Sequence, residues 1–113
     1  MQKQPFEKHV WAEIDLEALR YNFREVKARA GALPLCAVVK ADSYGHGAVQ
    51  CARIFAEEGA VCLAVSCLTE AMQLRQDGQT LPILILGHVQ PEYAQTLIHE
   101  AVSYTHLRAH ETL

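Results

Sequence analysis

Residues 35–47 read LCAVVKADSYGHG, in which a continuous apolar run leads to Lys40 and then to a stretch of turn-forming residues. Two further apolar runs follow, VCLAV at residues 61–65 and ILIL at residues 83–86. Apolar runs without alternation are typical of parallel strands that are covered on both faces. The three runs therefore predict three parallel strands, with Lys40 at the carboxyl end of the first.

Helical patterns separate the predicted strands. Asp15 is a suitable N-cap and Gly31 a suitable terminator for a helix over residues 16–30. Further helices are predicted over residues 48–58 and 69–77, and a fourth begins at Pro91, which suits the first helical position. The apolar residues that the helical period turns toward the core are Leu19, Phe23, Val26 and Ala30 in the first helix, Val49, Ala52, Phe55 and Ala56 in the second, and Ala94, Leu97, Ile98 and Ala101 in the fourth.

A leading strand is predicted around residues 10–14, so the order is strand, helix and then three strand–helix units. This rhythm predicts a parallel α/β architecture, either a barrel or an open sheet. A (β/α)8 barrel needs roughly 250 residues, whereas this chain has 113. We therefore interpret the chain as the first part of a larger domain.

Composition excludes several classes of partner. The chain is 50% hydrophobic and 20% charged, with a formal net charge of -3. A nucleic-acid surface needs clustered lysine and arginine, which are not seen here. The apolar runs are far shorter than the roughly 20 residues that span a bilayer, and the first residues do not resemble a secretory signal. We expect a cytoplasmic protein that binds neither nucleic acid nor membrane.

The four cysteines have no metal-binding spacing; they are Cys36, Cys51, Cys62 and Cys67. Cys36 and Cys62 lie in apolar, strand-like runs, which favours reduced, buried thiols acting as small hydrophobes. A disulfide or a zinc site is the less favoured alternative. Reduced cysteines suit the cytoplasm.

Lys40 is the strongest candidate for chemistry. In parallel α/β folds the carboxyl ends of the strands face the ligand crevice. Burial and neighbouring cations depress the pKa of a lysine there, and the neutral amine can form a Schiff base with an aldehyde cofactor. The alternative is a strand-end lysine whose ammonium group reaches into water.

The turn after Lys40 offers weaker candidates. The phenol of Tyr44 could donate a hydrogen bond to a cofactor phosphate, or it could be a half-buried tyrosine with a solvated hydroxyl. Gly45 and Gly47 permit positive φ or a close backbone approach. His46 between them could act as an acid or base, although a histidine bonded to backbone is the simpler interpretation. Asp42 and Ser43 complete this stretch as turn formers.

Residues 102–113, VSYTHLRAHETL, show no strand alternation and only a weak helical stripe. His106 and His110 have the i, i+4 spacing of a metal-binding pair, but no third ligand is evident. We interpret the segment as a polar tail, and the sequence predicts no metal site.

Residues 37–47, AVVKADSYGHG, closely resemble the pyridoxal-phosphate attachment signature of alanine racemases. Supporting segments occur in the order and spacing of that family over residues 10–101. They are WAEIDLEAL at residues 11–19 with Asn22, LAV at residues 63–65, Glu70-Ala71 with Leu74-Arg75, and PILILG at residues 82–87.

This resemblance implies the first three βα units of a (β/α)8 barrel, followed in the whole enzyme by a β-rich domain, in a homodimer. It implies interconversion of L- and D-alanine, the D-form feeding peptidoglycan. Lys40 would hold pyridoxal 5'-phosphate as an internal aldimine and serve as one of two bases, and Tyr44 would contact the phosphate. The cofactor would act as an electron sink.

The chain departs from the family pattern because it stops early. The opposing base, a tyrosine of the partner subunit, has no counterpart here, nor does the arginine facing the pyridine nitrogen. Residues 102–113 do not resemble the family and look like translated sequencing-adaptor read-through, so we divide the chain into a barrel part, 1–101, and a non-family tail, 102–113. The polypeptide alone is predicted to be inactive and poorly folded, with Ile83–Leu86 exposed on an unpaired edge strand.

Two alternatives stay open. One is a serine or broad-specificity amino-acid racemase of the same fold, whose pocket residues would lie downstream. The other is a non-catalytic barrel protein that binds pyridoxal phosphate, whose lysine context normally lacks the Tyr-Gly-His-Gly continuation present at residues 44–47.

Overall fold

Four parallel strands form one sheet in the computed structural model of the chain, which describes residues 10–105. The strands are β1 (Cys36–Val38), β2 (Cys62–Val65), β3 (Ile83–Leu86) and β4 (Val102–Thr105), and they pair in chain order. The first three coincide with the predicted apolar runs, which confirms that part of the sequence analysis.

One helix precedes β1, and the others connect successive strands. The helices are α1 (Leu16–Ala30), α2 (Lys40–Tyr44), α3 (Ala48–Glu57), α4 (Leu68–Gln76) and α5 (Ala94–His99), the last preceded by a 3-10 turn at Pro91–Tyr93. Asp15 caps α1 as predicted, because its Oδ1 accepts hydrogen bonds from the backbone N–H groups of Glu17, at 2.9 Å, and Ala18, at 3.2 Å. The helix ends at Gly31, where φ is +64°.

The arrangement is that of a barrel segment. A doubly wound sheet reverses its strand order at a switch point, whereas here each strand lies beside its neighbour in sequence. Helix α1 packs against α3, and α3 packs against α4. A single layer of helices beside a consecutively ordered parallel sheet is the construction of a (β/α)8 barrel.

The register of the four strands determines which of their residues lie in the core. Ala37, Leu63, Ile83 and Val102 are paired directly across the four strands and are each at most 8% exposed. Since side chains alternate between faces, Cys36 and Val38 on β1 lie on the opposite face, and both are exposed. The sheet therefore has one face buried against the helices and another that is partly open.

The predicted leading strand around residues 10–14 is wrong. These residues pair with no strand in the described part of the chain, and Val10 and Trp11 are 89% and 64% exposed. Apolar residues can mark a segment able to form a strand, but a strand also needs a hydrogen-bonded neighbour.

The expectation that no strand follows Ala101 is also wrong. Val102–Thr105 forms β4 in parallel register with β3, and Val102 is 8% exposed. Consequently β3 is not an edge strand, and Ile83 and Ile85 are at most 1% exposed. The edges of the described sheet are β1 and β4. Residues 106–113, with His106 and His110, lie outside the described residues.

The apolar faces of all three helices differ in part from prediction. In α3 only Ala52 of the predicted set is fully buried, and the other buried residues are Ala48, Cys51 and Ile54. Val26 is 56% exposed on α1, whereas Phe23 is 8% exposed. Of the four residues predicted to face inward after Pro91 only Leu97 is buried; Ile98 is 80% exposed, and Ala101 lies beyond the end of α5. The 3-10 turn before α5 has three residues per turn, so the single period assumed from Pro91 onward does not apply.

Helices α1 and α3 are joined by charged and aromatic contacts. Arg20 Nη1 donates to Glu58 Oε2 at 2.7 Å, Arg20 Nη2 donates to Glu57 Oε2 at 2.9 Å, and Arg24 also binds Glu58. Beside this cluster the rings of Phe23 and Phe55 lie 5.3 Å apart between centroids. The Arg24 and Arg20 guanidinium groups lower the pKa of Glu58 from its ordinary 4.5 to about 2.

This lowered pKa gives a pH-dependent stability. A carboxyl whose pKa is depressed by folding stabilises the native state above its unfolded pKa and loses that effect as the pH falls through its folded pKa. We expect Glu58→Gln to lower the melting temperature at pH 7 and the difference from wild type to close between pH 4.5 and about 2. Circular-dichroism melts of dilute protein across this range measure it.

Glu57→Gln is the matched control. The Glu57 side chain is 59% exposed against 11% for Glu58, and within residues 10–105 it pairs with Arg20 alone. We expect a smaller loss for this variant, because exposed ion pairs contribute little. Equal losses in the two variants, or a Glu58→Gln loss that persists unchanged at acid pH, would contradict the assignment.

Candidate functional site

Lys40 stands at the carboxyl end of β1, as predicted. The preceding residue, Val39, is fully buried, and its N–H donates to the Ala64 carbonyl of β2 at 2.8 Å. Lys40 itself is half-buried. Within residues 10–105 no hydrogen bond or ion pair engages its ammonium group. The strand thus fixes the backbone of Lys40 while its amine is left available.

The segment that follows, α2, is a left-handed turn rather than a right-handed helix. Ala41, Asp42, Ser43 and Tyr44 have φ between +51° and +56°, a region that costs a residue with a Cβ roughly 1–2 kcal/mol. Backbone hydrogen bonds hold the turn, among them Ser43 N–H to the Val39 carbonyl at 2.9 Å and Gly45 N–H to the Ala41 carbonyl at 3.1 Å. Several unfavourable dihedrals in sequence persist only where the surroundings enforce them.

Asp42 and the two glycines join this turn to α3. Asp42 Oδ1 accepts from the N–H of Ala48, the first residue of α3, at 2.8 Å. Gly45 and Gly47 have φ of +87° and +93°, the conformations for which glycine was predicted at these positions. The role of Asp42 as a turn former is confirmed, and its carboxylate satisfies one of the free N–H groups at the helix start.

The remaining polar residues of the turn differ in exposure. Ser43 is 6% exposed and is the one buried polar residue in the described range. His46 Nδ1 lies 3.1 Å from the Ser43 carbonyl oxygen, which matches the interpretation of a histidine bonded to backbone. Tyr44 is 61% exposed, rather than half-buried. Within residues 10–105 its hydroxyl is in no hydrogen bond, so it is available to a ligand.

Glu70 is the residue that sequence reasoning missed. It lies in the first turn of α4, after β2, and its Oε2 accepts from the N–H of Ala41 at 2.8 Å. Its Oε1 accepts from both the N–H and the Oγ of Ser66 at 2.6 Å. One carboxylate therefore joins the ends of β1 and β2 directly beside Lys40.

Hydrogen bonds decide the ionisation of Glu70. Burial acts to raise its pKa, but the Ser66 hydroxyl and the backbone N–H groups of Ser66, Ala41 and Cys67 outweigh that effect, so the pKa of Glu70 is lowered. Each of these donors favours the charged form. The carboxylate is ionised at neutral pH.

A cleft of about 420 Å³ opens at the same end of the sheet. It is lined by residues that follow β2 and β3, including Cys67, Thr69, His88 and Tyr93. Its volume lies in the range of small-molecule sites. Loops at the carboxyl ends of neighbouring strands thus leave room for a small ligand.

The cysteines form no catalytic arrangement. All four are free, and Cys51 is buried. Cys36 and Cys62 were predicted to be buried, but Cys36 is exposed and Cys62 is only partly buried. Cys36 and Cys62 are paired across β1 and β2, and their sulfurs lie 3.0 Å apart. Desolvation of the Cys36 sulfur and its hydrogen bond with Cys62 raise the pKa of Cys36 to about 12, so this thiol stays protonated and is a poor nucleophile.

Residues 10–105 contain neither a metal-binding cluster nor a membrane-spanning helix. No three histidine, cysteine, aspartate or glutamate side chains among residues 10–105 lie close enough together to hold a metal ion. Over the same range, none of the helices combines the length and apolarity required to cross a bilayer.

Comparisons with known proteins point to one family. The sequence profile of the family described as alanine racemase, N-terminal domain, matches residues 14–108. Alanine racemase from Desulforamulus reducens is 45% identical over 100 residues, which cover 88% of this chain and 27% of that protein. Alanine racemase 1 from Bacillus subtilis is 44% identical over 106 residues, covering 93% and 27%.

Solved structures give the same result. The crystal structure of alanine racemase from Bacillus anthracis with bound L-Ala-P superposes with a TM-score of 0.84 at 39% identity, covering 90% of this chain and 27% of that one. Alanine racemase from Clostridium difficile 630 superposes with a TM-score of 0.80 at 41% identity, covering 83% and 25%.

The chain spans about a quarter of the length of these relatives. The family profile reaches residue 108, beyond the boundary at residue 101 drawn from the sequence. The family profile and these relatives show that the chain belongs to the alanine racemase family through its amino-terminal domain.

Proposed function

We propose that this chain supplies the first part of the barrel of a pyridoxal-phosphate-dependent alanine racemase, with the cofactor attached to Lys40. The observation that carries the proposal is the position of Lys40, a half-buried residue just after the carboxyl end of β1 whose amine is engaged by no other group in residues 10–105. The identity to alanine racemases over most of the chain supports alanine as the substrate.

The residues present suit an aldehyde cofactor that bears a phosphate. Lys40 offers a primary amine that no carboxylate neutralises in the described part of the chain, and such an amine can attack an aldehyde carbon once deprotonated. Tyr44, four residues on, offers a phenolic hydroxyl on a 61% exposed side chain. Lys40 would hold the cofactor, and Tyr44 would donate a hydrogen bond to its phosphate.

Pyridoxal phosphate, when bound, supplies the electron sink that stabilises the charge left on Cα of alanine after a proton departs. In the proposed reaction the Nζ of Lys40 removes or returns that proton on one face of Cα. Racemisation needs a second base on the opposite face. By resemblance this base is a tyrosine of the partner subunit, so a homodimer is part of the proposal.

The physiological setting follows from the same resemblance. The D-alanine product would feed peptidoglycan synthesis, and the enzyme would act in the cytoplasm.

The division into a barrel part, 1–101, and a tail, 102–113, also stays a proposal, although the sheet continues to Thr105.

Two alternatives predict different chemistry. A racemase for serine or several amino acids would use Lys40 in the same way but turn over other substrates. A non-catalytic cofactor-binding barrel would attach the cofactor and racemise nothing. The continuation at residues 44–47, with its exposed tyrosine, favours the racemase, and substrate assays of a complete barrel separate all three.

A hybrid barrel provides the first test. In it, residues 14–105 of this chain replace the matching segment of Bacillus subtilis alanine racemase 1. We expect borohydride reduction to fix the cofactor on Lys40, because this amine has no competing partner. Peptide mass mapping locates the adduct, and the assay is D-alanine formation from L-alanine.

Lys40→Ala and Lys27→Ala are the matched variants of that hybrid. Lys27 lies on α1, where its Nζ donates to the Glu58 carbonyl at 3.2 Å. We expect Lys27→Ala to keep the adduct and Lys40→Ala to lose both the adduct and turnover. Attachment to another lysine in the unmutated hybrid would refute the assignment of Lys40.

Tyr44→Phe in the hybrid tests the phosphate contact. Loss of one neutral hydrogen bond costs about 0.5–1.5 kcal/mol, which corresponds to roughly two- to tenfold weaker cofactor binding, and more where phosphate charge strengthens it. Cofactor titrations measure the difference. Tyr21→Phe is the control, because Tyr21 is similarly exposed, at 64%, but lies on α1. Equal affinities for Tyr44→Phe and Tyr21→Phe would argue against the contact.

The 113-residue polypeptide by itself is expected to lack racemase activity, because it supplies one of the two bases. We also expect it to aggregate as its concentration rises, since β1 and β4 leave two unpaired edges in the described sheet. Light scattering and a D-alanine assay against free pyridoxal phosphate measure both properties. Turnover well above the free cofactor would contradict the requirement for a second base.

A further inference from the structure

Glu70 makes two kinds of contact, and only one is explained by its own helix. As the third residue of α4, it accepts hydrogen bonds from Ser66, just before the helix. A glutamate three residues after the N-cap commonly reaches back in this way. Its other oxygen accepts the N–H of Ala41 from a different βα unit, 29 residues away. Capping α4 does not require that second bond.

The backbone N–H of Ala41 is where Glu70 contacts the turn after Lys40. Ala41 follows Lys40 directly and is the first of the four residues with left-handed φ. Its N–H lies at the start of the turn, where the preceding turn supplies no acceptor. A charge-assisted hydrogen bond, about twice as strong as a neutral one, fixes this N–H to the end of the neighbouring strand.

We propose that Glu70 is the positioning residue for Lys40: its carboxylate holds the Ala41 N–H and Ser66 together, and so fixes the left-handed turn that orients the lysine at the end of β1. The proposal rests on the proposed function of Lys40 as the point of cofactor attachment. Glu70 acts through the backbone and takes no part in the chemistry.

Glu70→Gln separates positioning from capping. Glutamine caps a helix start as glutamate does, but it has one acceptor oxygen. With that oxygen on the two Ser66 donors, its NH2 group would face the Ala41 N–H. We expect the variant hybrid to melt near the wild-type temperature. We expect amide exchange at Ala41 to be at least tenfold faster, and attachment of pyridoxal phosphate to Lys40 to slow at least threefold. Hydrogen exchange and borohydride trapping measure the two rates.

Two matched variants define the controls. Ser66→Ala removes one hydrogen bond to Glu70 but retains the carboxylate and its bond to Ala41, so it is expected to leave Ala41 exchange unchanged. Glu25→Gln removes an exposed carboxylate on α1 and is expected to change neither rate. If Glu70→Gln does not fold, Glu70→Asp takes its place, because it keeps the charge near α4 but is too short to span both partners.

A measurement without cofactor distinguishes failure of this proposal from failure of the proposed function. Trace labelling with acetic anhydride compares the reactivity of Lys40 with that of Lys27 in each apoprotein. A Lys40/Lys27 ratio that changes at least threefold in Glu70→Gln supports the positioning role, even if cofactor attaches elsewhere. An unchanged ratio together with unchanged Ala41 exchange overturns it, even if Lys40 carries the cofactor.

Discussion

Direct pairing of parallel strands is the constraint on which the rest of this structure depends. Ala37, Leu63, Ile83 and Val102 lie in one hydrogen-bonded row and are all buried. Because a shift of one residue would turn each apolar set to the opposite face, this register is strongly specified. It also places the carboxyl ends of the strands at one end of the sheet, where Glu70 accepts a hydrogen bond from the backbone N–H that follows Lys40.

The site combines a rigid strand with an unfavourable turn. Val39 is fully buried and hydrogen-bonded to β2, whereas the next four residues after Lys40 have left-handed φ. That conformation is held from three directions: by the Val39 carbonyl, by the Asp42 link to α3, and by Glu70 on α4. Such supporting contacts are what hold a functional side chain in a defined geometry.

The sequence predicted what depends on local pattern. Apolar runs located β1 to β3, and Asp15 and Gly31 bounded α1, because caps and periodicity act over a few residues. The strand β4 was missed, since its formation depends on the edge of β3 rather than on its own alternation. Glu70 was missed because its decisive partner lies in another unit, and the left-handed turn because non-glycine residues rarely adopt it in series.

The consecutive strand order has a consequence for synthesis on the ribosome. Each described strand after β1 pairs with the strand made just before it, so each later βα unit meets a sheet edge that is already formed. Domains generally fold as the chain emerges, amino terminus first. The nascent sheet can therefore grow by adding one strand at a time. The turn after Lys40 can be completed as soon as α4, which carries Glu70, has left the exit tunnel.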